Sequence, residues 1–161
     1  MSNDWFEFEI KGLDQLQEKL EKLPENLARK GLRDSVKAGA QEIKDEMVAL
    51  APRDTGFLAE HFGVRTNVRI DDLAASAYVG PDGKMDYPDE GGGYRQKKDR
   101  KGKLRNVGRI AVVSVARFLE FGTHKMAARP FMTPAFENKK AGALDAIIEK
   151  LKSALEDSAK E

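Results

Sequence analysis

Phe62-Gly63-Val64-Arg65-Thr66-Asn67-Val68-Arg69-Ile70-Asp71-Asp72-Leu73-Ala74-Ala75-Ser76-Ala77-Tyr78-Val79 is the stretch on which the fold turns. Phe62, Val64, Thr66, Val68 and Ile70 alternate with mostly polar neighbours, the period of a strand with one buried face. Asp71-Asp72 supplies a tight turn, and Leu73, Ala75, Ala77 and Val79 repeat the alternation on the way back. The reading is an antiparallel hairpin. Gly80-Pro81-Asp82-Gly83 closes it.

On the N-terminal side of the hairpin the period changes to that of a helix. Leu27, Leu32, Val36, Ala40, Ile43, Met47 and Leu50 fall mostly three or four apart, one buried stripe along a helix from about Glu25 to Leu50. Gly31 and Gly39 lie inside it, where each costs about 0.5–1 kcal/mol relative to alanine. Close approach of another backbone would explain them, and so would simple tolerance by a long helix. Ala51-Pro52 ends the helix, because a residue before proline avoids the α region. Ahead of it, Phe6-Glu7-Phe8-Glu9-Ile10 alternates like a strand, Gly12 ends that strand, and Leu13, Leu16, Leu20 and Leu23 mark a short helix broken by Pro24.

Beyond the hairpin, residues 81–109 are rich in glycine and charge and read as a flexible charged loop. Ile110-Ala111-Val112-Val113-Ser114-Val115 reads as a buried strand, with Phe118 to Phe121 continuing as a helical turn. A last helix is expected over Pro134–Ser158, with Leu144, Ile147, Ile148, Leu151 and Leu155 on one face. The order gives one α+β domain over residues 1–161, an antiparallel sheet packed against the long helix and a C-terminal helix.

The 161 residues fit a single core, and a formal net charge of +1 leaves no global bias toward nucleic acid or membrane. There is no cysteine, which excludes disulfides and thiolate chemistry and fits a reducing cytoplasm. Neither a secretion signal nor a membrane span is read from the sequence.

Four local patterns invite a chemical reading. Asp54-Thr55-Gly56 has the form of an aspartic-protease tripeptide, but that chemistry needs two aspartates on apolar-flanked loops. Here the tripeptide occurs once, after a charged helix. The simpler reading is a turn in which Asp54 accepts backbone N–H groups and Gly56 takes positive φ. His61 and His124 are the only histidines and have no partners at ligand spacing, so neither metal nor cofactor is expected. Gly91-Gly92-Gly93 lacks the strand–helix context of a phosphate loop and reads as a hinge.

The fourth pattern is a basic block. Arg95, Lys97, Lys98, Arg100, Lys101, Lys103, Arg105 and Arg109 face only Asp99 over residues 94–109. Such an arm could meet DNA phosphates, with counterion release, or an acidic protein surface. The plainer alternative is a solvated loop with no dedicated partner.

Two segments together resemble a known family. Ala51-Pro52-Arg53-Asp54-Thr55-Gly56-Phe57-Leu58 resembles its "A-P-x-D-T-G-x-L" signature. Phe118-Leu119-Glu120-Phe121-Gly122-Thr123, with Ala128-Arg129-Pro130-Phe131-Met132-Thr133-Pro134-Ala135, resembles "E-F-G-T … A-R-P-F-x-x-P-A". The family is that of the head–tail joining, or tail-completion, proteins of tailed bacteriophages and prophages. The resemblance extends over essentially the whole chain, including "G-L-x-x-L" at Gly12–Leu16, and departs from the family in the length of residues 81–109.

It implies a non-enzymatic virion protein, present in the tail and neck and in the host cytoplasm during assembly. It further implies a ring of six copies that caps the head-proximal end of the tail tube and docks to head-connector proteins. Pro52, Gly56, Gly122, Pro130 and Pro134 are then expected to fix turns, and Phe57, Leu58, Phe118, Phe121 and Phe131 to be buried. Glu120 and Arg129 are expected to pair, within a subunit or across a ring interface. The alternatives are a nucleic-acid-binding protein using the 94–109 arm and, remotely, an aspartic protease.

Overall fold

A computed structural model of the chain describes residues 18–53, 56–83, 85–88, 95–108 and 110–158. The expected strand Phe6–Ile10, the residues Leu13 and Leu16 of the expected first helix, and Gly91-Gly92-Gly93 lie outside the described residues.

A helical turn at residues 18–21 leads through Pro24 into α1 (Glu25–Leu50). The Pro24 carbonyl accepts the first helical bonds, from the N–H groups of Leu27 and Ala28. At the other end the Ala51 N–H donates to the Met47 carbonyl at 2.9 Å, and Pro52 stops the helix. One turn of helix, α2 (Phe57–Glu60), then delivers the chain to β1 (Phe62–Arg69) and β2 (Ala74–Pro81).

These two strands form the expected antiparallel hairpin, in a register that runs from Phe62 opposite Pro81 to Arg69 opposite Ala74. At the tip, Leu73 donates its N–H to the Ile70 carbonyl and adopts φ 47°, a left-handed conformation costly for a leucine. Its side chain joins the apolar cluster beside it, which offsets the strain.

The segment after the hairpin departs from the expectation. Residues 95–98 (β4, Arg95–Lys98) and 104–107 (β5, Leu104–Val107) pair antiparallel, so the glycine-rich charged stretch carries a second hairpin. Before it, β3 (Asp86–Tyr87) pairs with β6 (Ile110–Ala111). The apolar run expected as a strand over 110–115 ends as one at Ala111 and becomes α3 (Val112–Phe121). An apolar run this short is ambiguous in period. Val112, Ala116 and Glu120, four apart, are the residues that α3 buries, and that spacing belongs to a helix.

The last helix, α4 (Met132–Ser158), lies antiparallel along α1. Gly39 is where the two backbones meet, since a Cβ there would stand 2.5 Å from the Ala143 carbonyl oxygen and 2.6 Å from Ile147. Gly31 is different: a Cβ would make an ordinary 3.5 Å contact with Ala154. The first glycine is required by packing and the second is tolerated.

α1 crosses both strands of the β1–β2 hairpin, and the architecture is α+β, as the sequence reading expects. Apolar burial divides into two clusters, one at each end of the α1–α4 pair. Met47, Ala51, Leu58, Phe62, Val112, Ala116, Phe131 and Ala135 form one. Leu20, Ala28, Leu32, Leu151 and Leu155 form the other.

Candidate functional site

The two motif segments, Ala51–Leu58 and Phe118–Ala135, far apart in sequence, meet in the first of these clusters. Ala51 and Leu58 come from the first segment and Phe131 and Ala135 from the second, all four buried. The Phe131 ring lies edge-on to that of Phe62, with centroids 5.8 Å apart, an arrangement aromatic quadrupoles favour. Gly56 takes φ 77°, the left-handed value expected for it, at the entry to α2. Asp54 and Thr55 lie outside the described residues, and Pro52 is half-buried.

Glu120 organises the second segment. Its carboxylate is buried and turned toward the start of α4. Oε2 accepts the N–H groups of Phe131 and Met132, each at 2.9 Å. Oε1 accepts the Thr133 N–H at 2.9 Å and the Thr133 hydroxyl at 2.6 Å. The first N–H groups of a helix have no partner within it. Here Phe131, Met132 and Thr133 donate to Glu120, and Pro134, the next residue, has no N–H to satisfy. The regular ladder starts with Ala135 donating to the Phe131 carbonyl.

One carboxylate therefore closes the whole N-terminus of a 27-residue helix. The helix dipole adds to the stabilisation of its charge. Burial pushes the Glu120 carboxyl up, but the Thr133 hydroxyl and the three backbone donors outweigh it and hold the group below its ordinary pKa.

The chain between α3 and α4 is shaped to make this contact. Gly122, at φ 73°, ends α3, its N–H donating to the Phe118 carbonyl at 2.8 Å. A Cβ at Gly122 would lie 2.8 Å from the Ala128 nitrogen, so no other residue fits. Thr123 and Met126 then exchange backbone bonds in a tight turn, and the Arg129 N–H donates to the Leu119 carbonyl at 2.7 Å. Thr123, Arg129 and Pro130 are exposed.

Two expectations fail at this junction. Glu120 does not pair with Arg129 within the subunit: both its oxygens are engaged by α4, and the Arg129 side chain stands in solvent. Phe118 and Phe121 are not buried either. They lie on the face of α3 opposite Val112 and Ala116, with 42% and 76% of their surfaces exposed. Met126, on the adjoining turn, is exposed as well. The spacing of Val112, Ala116 and Glu120 contains the signal, but only once the segment is read as a helix.

The basic block is distributed along the second hairpin. Arg95, Lys97 and Lys98 are exposed on β4, Arg100, Lys101 and Lys103 on the turn, and Arg105 sits opposite Lys97 in register. Arg109 lies outside the described residues. Asp99 serves the turn, its Oδ1 accepting the N–H groups of Lys101 at 2.8 Å and Lys103 at 2.9 Å. Among the described residues no three His, Asp or Glu side chains group as metal ligands. No helix of the described residues is long and apolar enough to cross a membrane.

Comparison with known proteins bears on these features directly. Residues 14–122 match the model of the HK97-gp10-like family, described as "Bacteriophage HK97-gp10, putative tail-component". The match includes the first motif and all of α3, and ends at Gly122, ahead of α4. No curated protein and no solved structure matches the chain. A match over two thirds of the sequence, with both glycine turns inside it, places this chain in the HK97-gp10-like family of bacteriophage tail components.

Proposed function

We propose that this tail component is a non-enzymatic assembly protein that caps the head-proximal end of the tail and joins it to the head connector. It does so through protein–protein contacts, as a ring of six copies. The observation that carries the reading is the aromatic ledge of Phe118 and Phe121, fixed in place by the Glu120 anchor directly behind it. Exposed apolar patches on a soluble chain mark surfaces that another protein covers. A head-to-tail ring needs two unlike surfaces on each copy, and the ledge supplies one of them.

Electron microscopy of lysates from a phage lacking this gene tests the step. Full heads beside detached tails are expected. Normal attached particles, or malformed heads, would overturn the reading.

A second reading is favoured by the exposed basic hairpin, which offers its cations on a projecting arm to DNA phosphates. In a joining protein the two readings are compatible, since the genome passes the same junction. The arm is proposed as a phosphate contact.

A further inference from the structure

Among the described residues, the large apolar side chains left exposed gather mostly at two places. Phe118, Phe121 and Met126 share the ledge, and Tyr78 and Phe136 flank a groove. That groove, of about 410 Å³, lies between β2 and the α1–α4 pair, with Val36, Ile43 and Met47 of α1 and Ile147 of α4 in its lining. Single exposed apolar residues are ordinary on a soluble chain, but gathered ones mark a surface that something covers. One of these two surfaces projects and the other recedes.

Taking the ring as proposed above, we infer that the ledge of one copy seats in the groove of the next, head to tail. The groove is then the second of the two unlike surfaces that such a ring requires.

A single chain does not satisfy both surfaces by itself. Met47 lines the groove and also packs in the cluster that holds Val112 and Ala116, the buried face of α3. Phe118 and Phe121 project from the opposite face of that helix, away from Met47. The bonds of Glu120 to the start of α4 hold α3 in this orientation. A twofold contact of ledge on ledge would leave every groove open. A head-to-tail contact covers both surfaces on all copies once the cycle closes.

The sizes agree. Phe118 and Phe121, three apart on a helix, lie side by side. A cavity of about 150 Å³ accepts one benzene ring, so the groove accommodates both. None of the described residues that line it is charged, so the rings strip no ion of its water. The ledge is bordered by exposed Arg117, Lys125 and Arg129, whose charges stay wet at the rim of the contact. Two phenylalanines bury about 150–250 Å² each, which leaves a ledge-and-groove contact below the roughly 1,200 Å² of a stable pair. One neighbour therefore holds a copy weakly and two hold it firmly, which keeps free subunits apart until a tail end collects them.

The chain has no cysteine, so thiols placed at the borders of the two surfaces can be joined selectively. A double variant, Met126→Cys with Tyr78→Cys, is treated with a short bismaleimide, both as the purified full-length chain and in tails assembled from it in a gene-deleted phage. A ladder of crosslinked copies on a denaturing gel is expected, while each single variant stays monomeric. Adding Phe121→Asp or Phe136→Asp should abolish the ladder from the purified chain, and Phe121→Leu should retain it, with far-ultraviolet circular dichroism confirming the fold of each. Two results would overturn the inference: no ladder from purified chain or tails, or dimers from Met126→Cys alone, which would pair ledge with ledge. Particles that join normally yet give no ladder would remove this contact and leave the joining role standing. A ladder from a chain whose deletion leaves heads and tails attached would do the reverse.

Discussion

Glu120 Oε1 accepts two hydrogen bonds from Thr133, one from its N–H at 2.9 Å and one from its hydroxyl at 2.6 Å. Together with the bonds of Oε2 they fix the direction of α4 from a helix that ends eleven residues earlier. Glu120→Ala would leave three helix donors without partners at the edge of the core. A loss of about 2–3 kcal/mol is expected, measured by urea denaturation. Because Arg129 is not its partner, the double variant with Arg129→Ala should show additive losses within about 0.5 kcal/mol. A larger coupling would mean the two side chains interact after all.

The same carboxylate has a pH signature. Its pKa is lowered in the folded chain, so the ionised form contributes stability that is fully present above the unfolded-state pKa. That contribution disappears as pH falls through the lower, folded-state pKa. Glu120→Gln should therefore be less stable than the parent at neutral pH, and the gap should narrow in acid. Thermal melts at a series of acidic pH values would show it, and a gap that stays constant would refute it.

The two glycines of α1 should respond with opposite sign. Gly39→Ala forces a Cβ into the Ala143 carbonyl and is expected to destabilise by about 1–3 kcal/mol. Gly31→Ala meets only an ordinary contact and should stabilise by about 0.5–1 kcal/mol through helix propensity. Denaturation midpoints of the two single variants settle the matter, and equal effects would show that the close approach at Gly39 is not what holds the helices together.

Phe121→Ser should separate stability from assembly. The side chain is 76% exposed, so the melting behaviour should change by no more than about 0.5 kcal/mol. Complementation of a gene-deleted phage with this variant should nevertheless leave tails detached from heads. Full restoration of attached particles would remove the ledge from the proposed interface.

For the basic hairpin, replacing Lys97, Lys98, Lys101 and Lys103 by Gln should weaken binding to duplex DNA at low salt. It should also flatten the dependence of log affinity on log salt, by about 0.9 for each phosphate that is no longer neutralised. An unchanged slope would mean these lysines touch no phosphate.

What could be read from sequence followed how local the physics was. The β1–β2 hairpin was legible because Phe62, Val64, Thr66 and Val68 show the pleat directly, and α1 because its stripe and Pro52 bound it. The second hairpin was not, because Arg95–Lys98 has no apolar face to alternate with. The buried strand expected at 110–115 was lost to α3, whose buried Val112 and Ala116 join a cluster with Met47, Leu58, Phe62 and Phe131, residues distant in sequence. Within the site, the left-handed Gly56 was legible as turn chemistry. The role of Glu120 was not. Capping residues normally adjoin the helix they cap, and this one comes from another helix.

The division of the core into two clusters, with Gly39 between them, bears on how the subunit opens. α1 spans about 39 Å at 1.5 Å per residue, long enough for its ends to lose their packing separately. The end near Leu20 and Leu155 is held by a handful of aliphatic side chains, while the other end has Phe62, Phe131 and the Glu120 clasp. Amide exchange should accordingly resolve two rates rather than one, faster around Leu32 and Leu151 than around Met47 and Ala135. A chain built this way can yield at its hairpin tip while keeping the aromatic ledge in register, so that, in the proposed joining role, adjustment to a neighbour and recognition of it would fall at opposite ends of one helix pair.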